Sequence, residues 1–118
     1  MKNNRDIDIL EKIIQYCNEI EEANQQFGNS LDVLKENSVY RNAVAMCILQ
    51  IGELVGHLSE RFKVTHDQMP WHDIKAMRNI AAHKYGSFDA DMLWETIMGD
   101  IPDLKIYCEK ICERDMAE

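Results

Sequence analysis

Residues that interrupt helices are scarce in this sequence, which has only two prolines and five glycines among 118 residues. It contains no Gly/Ser-rich or Pro-rich tract, and 46% of its residues are hydrophobic, so a largely disordered chain is excluded. No stretch approaches the roughly 18 apolar residues of a membrane span, and the N-terminal MKNNRDIDIL lacks the apolar run of a signal peptide. These features predict a cytoplasmic protein without a membrane segment, folded as one domain over residues 1–118.

Cysteines and histidines are also few, and their spacing is not that of a metal site. No two of the four cysteines form a CxxC pair. Cys108 and Cys112 lie four residues apart, but two thiols without further ligands are more typical of a core than of a zinc site. His57, His66 and His72 lack partners at helical metal-site spacing. We therefore expect free thiols, no bound metal and no cofactor.

Positive charge is scarce overall but concentrated in one segment. The chain has 13 Lys and Arg against 21 Asp and Glu, a net charge of −8, which disfavours non-specific binding to nucleic acids. Residues 61–85 differ, because they contain five basic and two acidic residues and so carry a net charge of +3. The rest of the chain therefore carries −11. If the protein binds RNA, this segment is expected to contact it.

Apolar residues recur every three or four positions along most of the chain, which is typical of amphipathic helices. This periodicity predicts a first helix over residues 6–27, a short turn near 31–34, a long helix over 39–62, another starting at Pro70-Trp71 and a last one capped by Asp89. Residues 63–69 are predicted to form a polar loop, and Gly99 with Pro102 to kink or interrupt the last helix. The predicted fold is all-α, an antiparallel bundle of four main helices.

Two glycines, Gly52 and Gly56, lie inside the most apolar of these helices. Each costs about 1 kcal/mol relative to alanine in a helix interior. Close approach of a neighbouring helix would compensate for that cost. The alternative is that both are tolerated glycines without a role.

The chemically capable residues are densest in the run RNIAAHKY at residues 78–85. Arg78 carries a permanent cation that can stabilise charge growing on a phosphoryl group, and His83 can transfer protons near neutral pH. Together they suit attack of an RNA 2′-hydroxyl on its neighbouring phosphate, a reaction that requires no metal. From spacing alone, the favoured alternative is that both are solvated side chains that satisfy carbonyl groups near a helix end.

The spacing of Arg78 and His83 constrains how such a site is built. Five residues of regular helix rotate by about 500°, which leaves the two positions about 140° apart around the axis. A regular helix in a single chain therefore makes a poor site. Either the helix ends before His83 and the chain turns it back, or residues of two subunits converge across a symmetric interface.

The run from Pro70-Trp71 through Arg78-Asn79 to His83-Lys84-Tyr85 resembles the Arg-x4-His-x-Tyr signature of the HepT-like branch of HEPN ribonuclease toxins. The resemblance spans nearly the whole chain. It includes the segments Arg41-Asn42-Ala43-Val44 and Gln50-Ile51-Gly52-Glu53, which are similar to the family's second helix, and Trp94 with Asp100-Ile101-Pro102, which are similar to its last.

This resemblance implies a homodimeric, metal-independent endoribonuclease toxin that cleaves cellular RNA such as tRNA and leaves a cyclic phosphate. Arg78 and His83 would be its catalytic pair at a cleft in the dimer interface, with Asn79 and Lys84 positioning the substrate. The implied partner is an MntA-type minimal nucleotidyltransferase antitoxin that transfers AMP to Tyr85. Phosphate charge added beside His83 would then block RNA entry.

Glu53 stands in a mostly apolar stretch, where a carboxylate usually finds a cation. Arg78 is a candidate partner, and such a pair would hold its guanidinium in place. The alternative is an exposed glutamate. Two other functions compete with the ribonuclease: a non-catalytic helical module that docks to a nucleotidyltransferase or is its substrate, and a purely structural bundle with a fortuitous motif. The overall acidity favours the docking module.

Overall fold

A computed structural model describes residues 4–83 and 90–117 of the chain, and all elements within these ranges are helical. They are α1 (Asn4–Gln26), α2 (Leu31–Glu36), α3 (Ser38–His57), α4 (Glu60–Thr65), α5 (Trp71–His83), α6 (Ala90–Glu95), a π-helical segment (Thr96–Asp100) and α7 (Ile101–Ala117). The all-α prediction is confirmed. None of the helices in these ranges combines the length and the apolar character needed to cross a membrane.

The core lies between the four longest helices, α1, α3, α5 and α7. Helix α3 is central, because it packs against α1 on one side and α5 on the other, while α1 also packs against α7. The apolar stripes that define the helical periodicity supply the side chains buried there, including Leu10, Ile13, Ile20, Val44, Ile51 and Leu104. Burial of each such side chain contributes about 1.5–3 kcal/mol before the entropy of ordering is counted.

Two predicted helix starts carry the caps that their sequences indicate. The Ser30 side chain accepts a hydrogen bond from the Val33 N–H at the start of α2 (3.3 Å). The Asn37 side chain accepts one from the Tyr40 N–H at the start of α3 (3.0 Å). Each cap satisfies a backbone donor that the first turn of a helix leaves free.

The prediction of a single helix over residues 39–62 is wrong. Helix α3 ends at His57, Leu58 is extended, and Ser59 caps a separate helix α4 that runs to Thr65. Part of the polar loop expected over 63–69 is therefore helical. The apolar spacing continues across the break because Leu58 and Phe62 are buried in the same core as the residues of α3.

The break is held by a carboxylate from the N-terminal helix. Asp6 of α1 accepts a hydrogen bond from the Ser59 N–H (2.9 Å) and another from the Ser59 hydroxyl (2.7 Å). The same Ser59 oxygen accepts from the Phe62 N–H, which caps α4. Asp6 is only 4% exposed. Its removal would leave two donors without their acceptor in a protected site.

We expect Asp6→Ala to lower the free energy of unfolding by about 2–3 kcal/mol, because two charge-assisted hydrogen bonds are lost. Urea titration followed by circular dichroism measures this. Asp8→Ala, an exposed position on the same helix, is the matched control and should change the value by less than about 0.5 kcal/mol. Equal effects of both substitutions would contradict the role of Asp6 at the break.

The interruption expected at Gly99 and Pro102 is present as the π-helical segment between α6 and α7. Proline has no N–H to donate to the preceding turn, and a wider turn accommodates the missing bond. The helical path nevertheless continues, so that Ile97, Ile101 and Leu104 remain buried in one core.

All four cysteines are free thiols, as expected, and only Cys112 is partly exposed. Burial raises the pKa of Cys17 to about 12 and that of Cys47 to about 11. Burial also raises the pKa values of Cys108 and Cys112. Because the thiolate is the nucleophile, the three fully buried thiols, Cys17, Cys47 and Cys108, are expected to be unreactive.

Iodoacetamide at pH 8 should label the folded protein at Cys112 alone, and all four cysteines after unfolding in urea. Mass spectrometry of the labelled peptides distinguishes the sites. Since the folded state keeps its buried thiols protonated, stability should also fall as pH rises above about 9, where the unfolded thiols ionise. Rapid labelling of Cys17 in the folded protein would contradict this packing.

Candidate active site

Arg78 lies on the side of α5 that faces α3, next to Glu53. The Arg78 Nε atom is 2.5 Å from Glu53 Oε1. This nitrogen is shielded from solvent and makes no well-directed hydrogen bond, so the contact is an ion pair. The side chains are 40% and 48% exposed, and such a surface pair contributes only about 0–1 kcal/mol to stability. The pair therefore adds little to the stability of the fold.

The pairing expected of Glu53 and Arg78 is thus present, while its role in catalysis stays a prediction. No residue in the described ranges accepts a hydrogen bond from the terminal Nη groups of Arg78. Among the described residues, nothing occupies these groups, which could therefore bind an oxyanion. A guanidinium presents its donors in a planar fork that matches two oxygens of a phosphate.

Gly52 allows α3 and α5 to come this close. A Cβ atom built on Gly52 would lie 2.7 Å from Arg78 Cβ and 3.2 Å from the Lys75 carbonyl oxygen. Any larger residue would push the two helices apart, because neither neighbour is a flexible side-chain end. The close approach expected of this glycine is confirmed, and it fixes the backbone that carries Arg78.

Gly56 makes a looser contact one turn further along α3. A Cβ there would lie 3.4 Å from Lys75 Cε and 3.8 Å from Lys75 Nζ, so the lysine stem runs across the glycine. Lys75 precedes Arg78 by three residues, which places both cations on neighbouring positions of one helix surface. From the sequence, Lys75 is a candidate to line an RNA path or a solvated side chain, and the solvated alternative is favoured.

Helix α5 continues through His83, so the alternative in which the helix ends before that residue is wrong. By the geometry of a regular helix, position 83 lies on the same side of α5 as His72, Ala76 and Asn79, which are all exposed. Asn79 therefore borders the solvent face, whereas Arg78 borders α3. Lys84 and Tyr85 lie outside the described residues.

The structure thus brings together Glu53, Arg78 and Gly52, and it separates Arg78 from position 83 around the axis of α5. This is the separation that the periodicity predicted. Across residues 4–83 and 90–117 no group of three or more His, Cys, Asp or Glu is arranged to hold a metal ion.

Comparison with known proteins places this arrangement in a family. The sequence model described as "Ribonuclease HepT-like" matches residues 13–111, an interval that contains Glu53, Arg78 and His83. The chain belongs to the ribonuclease HepT-like family. The resemblance read from the Arg-x4-His-x-Tyr motif is therefore confirmed at the level of the family.

Relatives of this HepT-like chain carry ribonuclease names. It is 30% identical over 106 residues to "Putative RNase TTE0752" of Caldanaerobacter subterraneus subsp. tengcongensis, covering 90% of this chain and 93% of the relative. It is 36% identical over 69 residues to "Probable ribonuclease HepT" of Thermococcus cleftensis, covering 58% of this chain and 63% of that protein. No solved structure matched the chain. These relatives support a ribonuclease activity at the level of the family.

Proposed function

We propose that this chain is a metal-independent endoribonuclease that acts as the toxin of a toxin-antitoxin system. The observation that carries the proposal is Arg78, oriented by Glu53 against Gly52, with its terminal donors free for a phosphate. The family supplies the second support, since relatives over most of the chain are named as ribonucleases. Transfer RNA is the proposed substrate class.

In the proposed reaction an RNA 2′-oxygen attacks the adjacent phosphorus, and the bond from that phosphorus to the 5′-oxygen breaks. The 2′-hydroxyl proton passes to His83 and is returned through solvent to the leaving 5′-oxygen, which yields a 2′,3′-cyclic phosphate and a free 5′-hydroxyl. Arg78 stabilises the charge that grows on the non-bridging oxygens. Asn79 and Lys84 would position the phosphate backbone.

The site is proposed to be shared between two subunits. Arg78 and position 83 lie about 140° apart on one continuous helix, so one chain presents them to different directions. Val39 and Met46, which are 67% and 53% exposed, precede Glu53 at seven-residue steps and share its side of α3. This apolar face leads to the ion pair, and a second copy of the chain covering it would complete the site.

The partner proposed for this toxin is an MntA-type nucleotidyltransferase antitoxin. Its reaction would join the Tyr85 oxygen to the phosphorus of AMP, with a nucleoside triphosphate as donor and pyrophosphate as leaving group. The product adds negative charge two residues from His83. That charge would repel the RNA backbone and neutralise the toxin.

Expression of the chain alone in bacteria, with growth and the integrity of total and transfer RNA as readouts, tests the proposal. Wild type should arrest growth and cut RNA. Arg78→Ala and His83→Ala should each lower the cleavage rate of the purified protein about 100-fold or more. Lys12→Ala, which removes an exposed cation from α1, should behave as wild type.

Intact RNA in the presence of folded wild-type protein would overturn the ribonuclease. Retained binding of the nucleotidyltransferase in that case would favour the docking module, which the net charge of −8 also favours. Cleavage of other RNA with tRNA left intact would overturn the substrate class alone.

A further inference from the structure

A polar cavity of about 310 Å³ lies between the segment that follows α4 and the outer part of α7. Its lining residues are Thr65, His66, Asp67, Gln68, Tyr107, Lys110, Ile111 and Arg114. The volume is at the lower end of that of small-molecule sites, which is about 300–1,000 Å³. The predominance of polar side chains favours a polar ligand.

One wall of the cavity is held in place by two hydrogen bonds to the same carbonyl. The His66 carbonyl oxygen accepts from Trp71 Nε1 (2.9 Å) and from the Tyr107 hydroxyl (3.1 Å). The Trp71 and Tyr107 rings also meet edge to face, with centroids 5.9 Å apart. The cavity therefore has a shape that exists before any ligand binds, which lowers the entropic cost of binding.

The charge of the cavity is opposite to that of the protein. Lys110 and Arg114 lie one turn apart on α7, and neither forms an ion pair with a carboxylate of the described residues. Asp67 is the one acidic side chain of the lining. Two unpaired cations against one carboxylate attract an anion, although the whole chain carries −8.

His66 adds a neutral polar group to this wall. Burial, and then the neighbouring Arg114 guanidinium, lower the pKa of the imidazole, so it is uncharged at neutral pH. Its ring lies 4.4 Å from that of Phe62. A neutral imidazole offers one donor and one acceptor, which suits a ribose or a base beside a phosphate held by the cations.

The cavity lies near the N-terminus of α5. Trp71, which supports its wall, precedes Arg78 by seven residues, a distance of about 10 Å along the helix axis and almost two full turns. An RNA strand that places its cleaved phosphate at Arg78 would extend far enough for a flanking nucleotide to approach this end of α5.

We propose that the cavity bounded by Lys110 and Arg114 binds the phosphate group of a nucleotide. The favoured source of this phosphate is a nucleotide of the RNA substrate that lies outside the cleaved bond. This choice of source rests on the proposed ribonuclease function. A free mononucleotide carries the same chemistry and is the alternative source. Arg114 supplies a planar fork of donors, and Lys110 supplies a point charge. Phosphate sites commonly combine these two kinds of group.

The test measures binding and not cleavage, so that it stays informative if the ribonuclease proposal fails. Fluorescence anisotropy with a 2′-O-methyl RNA oligonucleotide, which lacks the attacking hydroxyl, reports affinity for an RNA strand. Calorimetry with AMP reports affinity for a free nucleotide. Both are measured on wild type, on the Lys110→Ala/Arg114→Ala double variant and on a Lys12→Ala/Lys35→Ala control that removes two exposed cations elsewhere.

For the RNA source we expect the cavity variant to lose about tenfold or more in RNA affinity and to show a shallower salt dependence, with the control within about twofold of wild type. Loss of AMP binding with unchanged RNA affinity would assign the site to a free nucleotide. RNA and AMP affinities equal to those of the control would overturn the inference. That result, beside intact RNA cleavage by wild type, would leave the proposed ribonuclease standing.

Discussion

Dimers that combine one Arg78→Ala chain with one His83→Ala chain are expected to recover about half of the wild-type ribonuclease activity, although each variant alone is inactive. A two-fold symmetric dimer has two equivalent sites. If each site takes Arg78 from one chain and His83 from the other, the mixed dimer keeps one site intact and loses both groups from the other. The measurement is the cleavage rate of dimers purified through two different affinity tags.

The reciprocal pairing distinguishes this arrangement from a site within one chain. A chain with both substitutions, paired with a wild-type chain, should be inactive if the site is shared, because each site then lacks one of its two groups. A site within one chain predicts the opposite, with half activity in the reciprocal pair and none in the mixed dimer. That opposite pattern would overturn the shared site proposed from the continuity of α5.

Gly52→Ala is expected to lower the cleavage rate by about tenfold or more. The new Cβ would lie 2.7 Å from Arg78 Cβ and 3.2 Å from the Lys75 carbonyl oxygen, so α5 must move away from α3. Displacement of the arginine by a fraction of an ångström misplaces it relative to the phosphate. The same overpacking should lower the free energy of unfolding by about 1–3 kcal/mol. Rates are measured at a temperature where the variant is folded.

Two other glycines provide graded controls for this substitution. Gly56→Ala makes only an ordinary contact with the end of Lys75, and Gly99→Ala meets nothing within 4 Å. Both variants should keep cleavage rates within about twofold of wild type, since neither displaces Arg78. A cleavage rate of Gly52→Ala equal to that of Gly56→Ala would contradict the positioning role of Gly52.

Local signals were sufficient to predict most of the helices. The three- and four-residue apolar spacing predicts α1, α3, α5 and α7, and the Ser30 and Asn37 side chains cap the helices whose starts they indicate. Such features depend on residues within about four positions of one another, so they are visible in the sequence. The Arg-x4-His-x-Tyr motif is equally local, and together with Pro70-Trp71 and the segment Gln50-Ile51-Gly52-Glu53 it indicated the family.

The break after His57 shows where local signals are insufficient. Ser59 is a residue type that commonly caps helices. The apolar spacing through Leu58 and Phe62, however, is that of an uninterrupted helix. The decisive partner is Asp6, which is 53 positions away in sequence and becomes a neighbour only when α1 packs against α3.

The sequence by itself determined the all-α class, most of the helix starts and the residues capable of phosphate chemistry, because periodicity, capping and residue type act within a few positions. Tertiary structure alone decided that Gly52 adjoins Arg78, that Glu53 pairs with it, and that Lys110 and Arg114 share a cavity with His66. These contacts join different helices, and they exist because burial of the apolar faces brings the helices together.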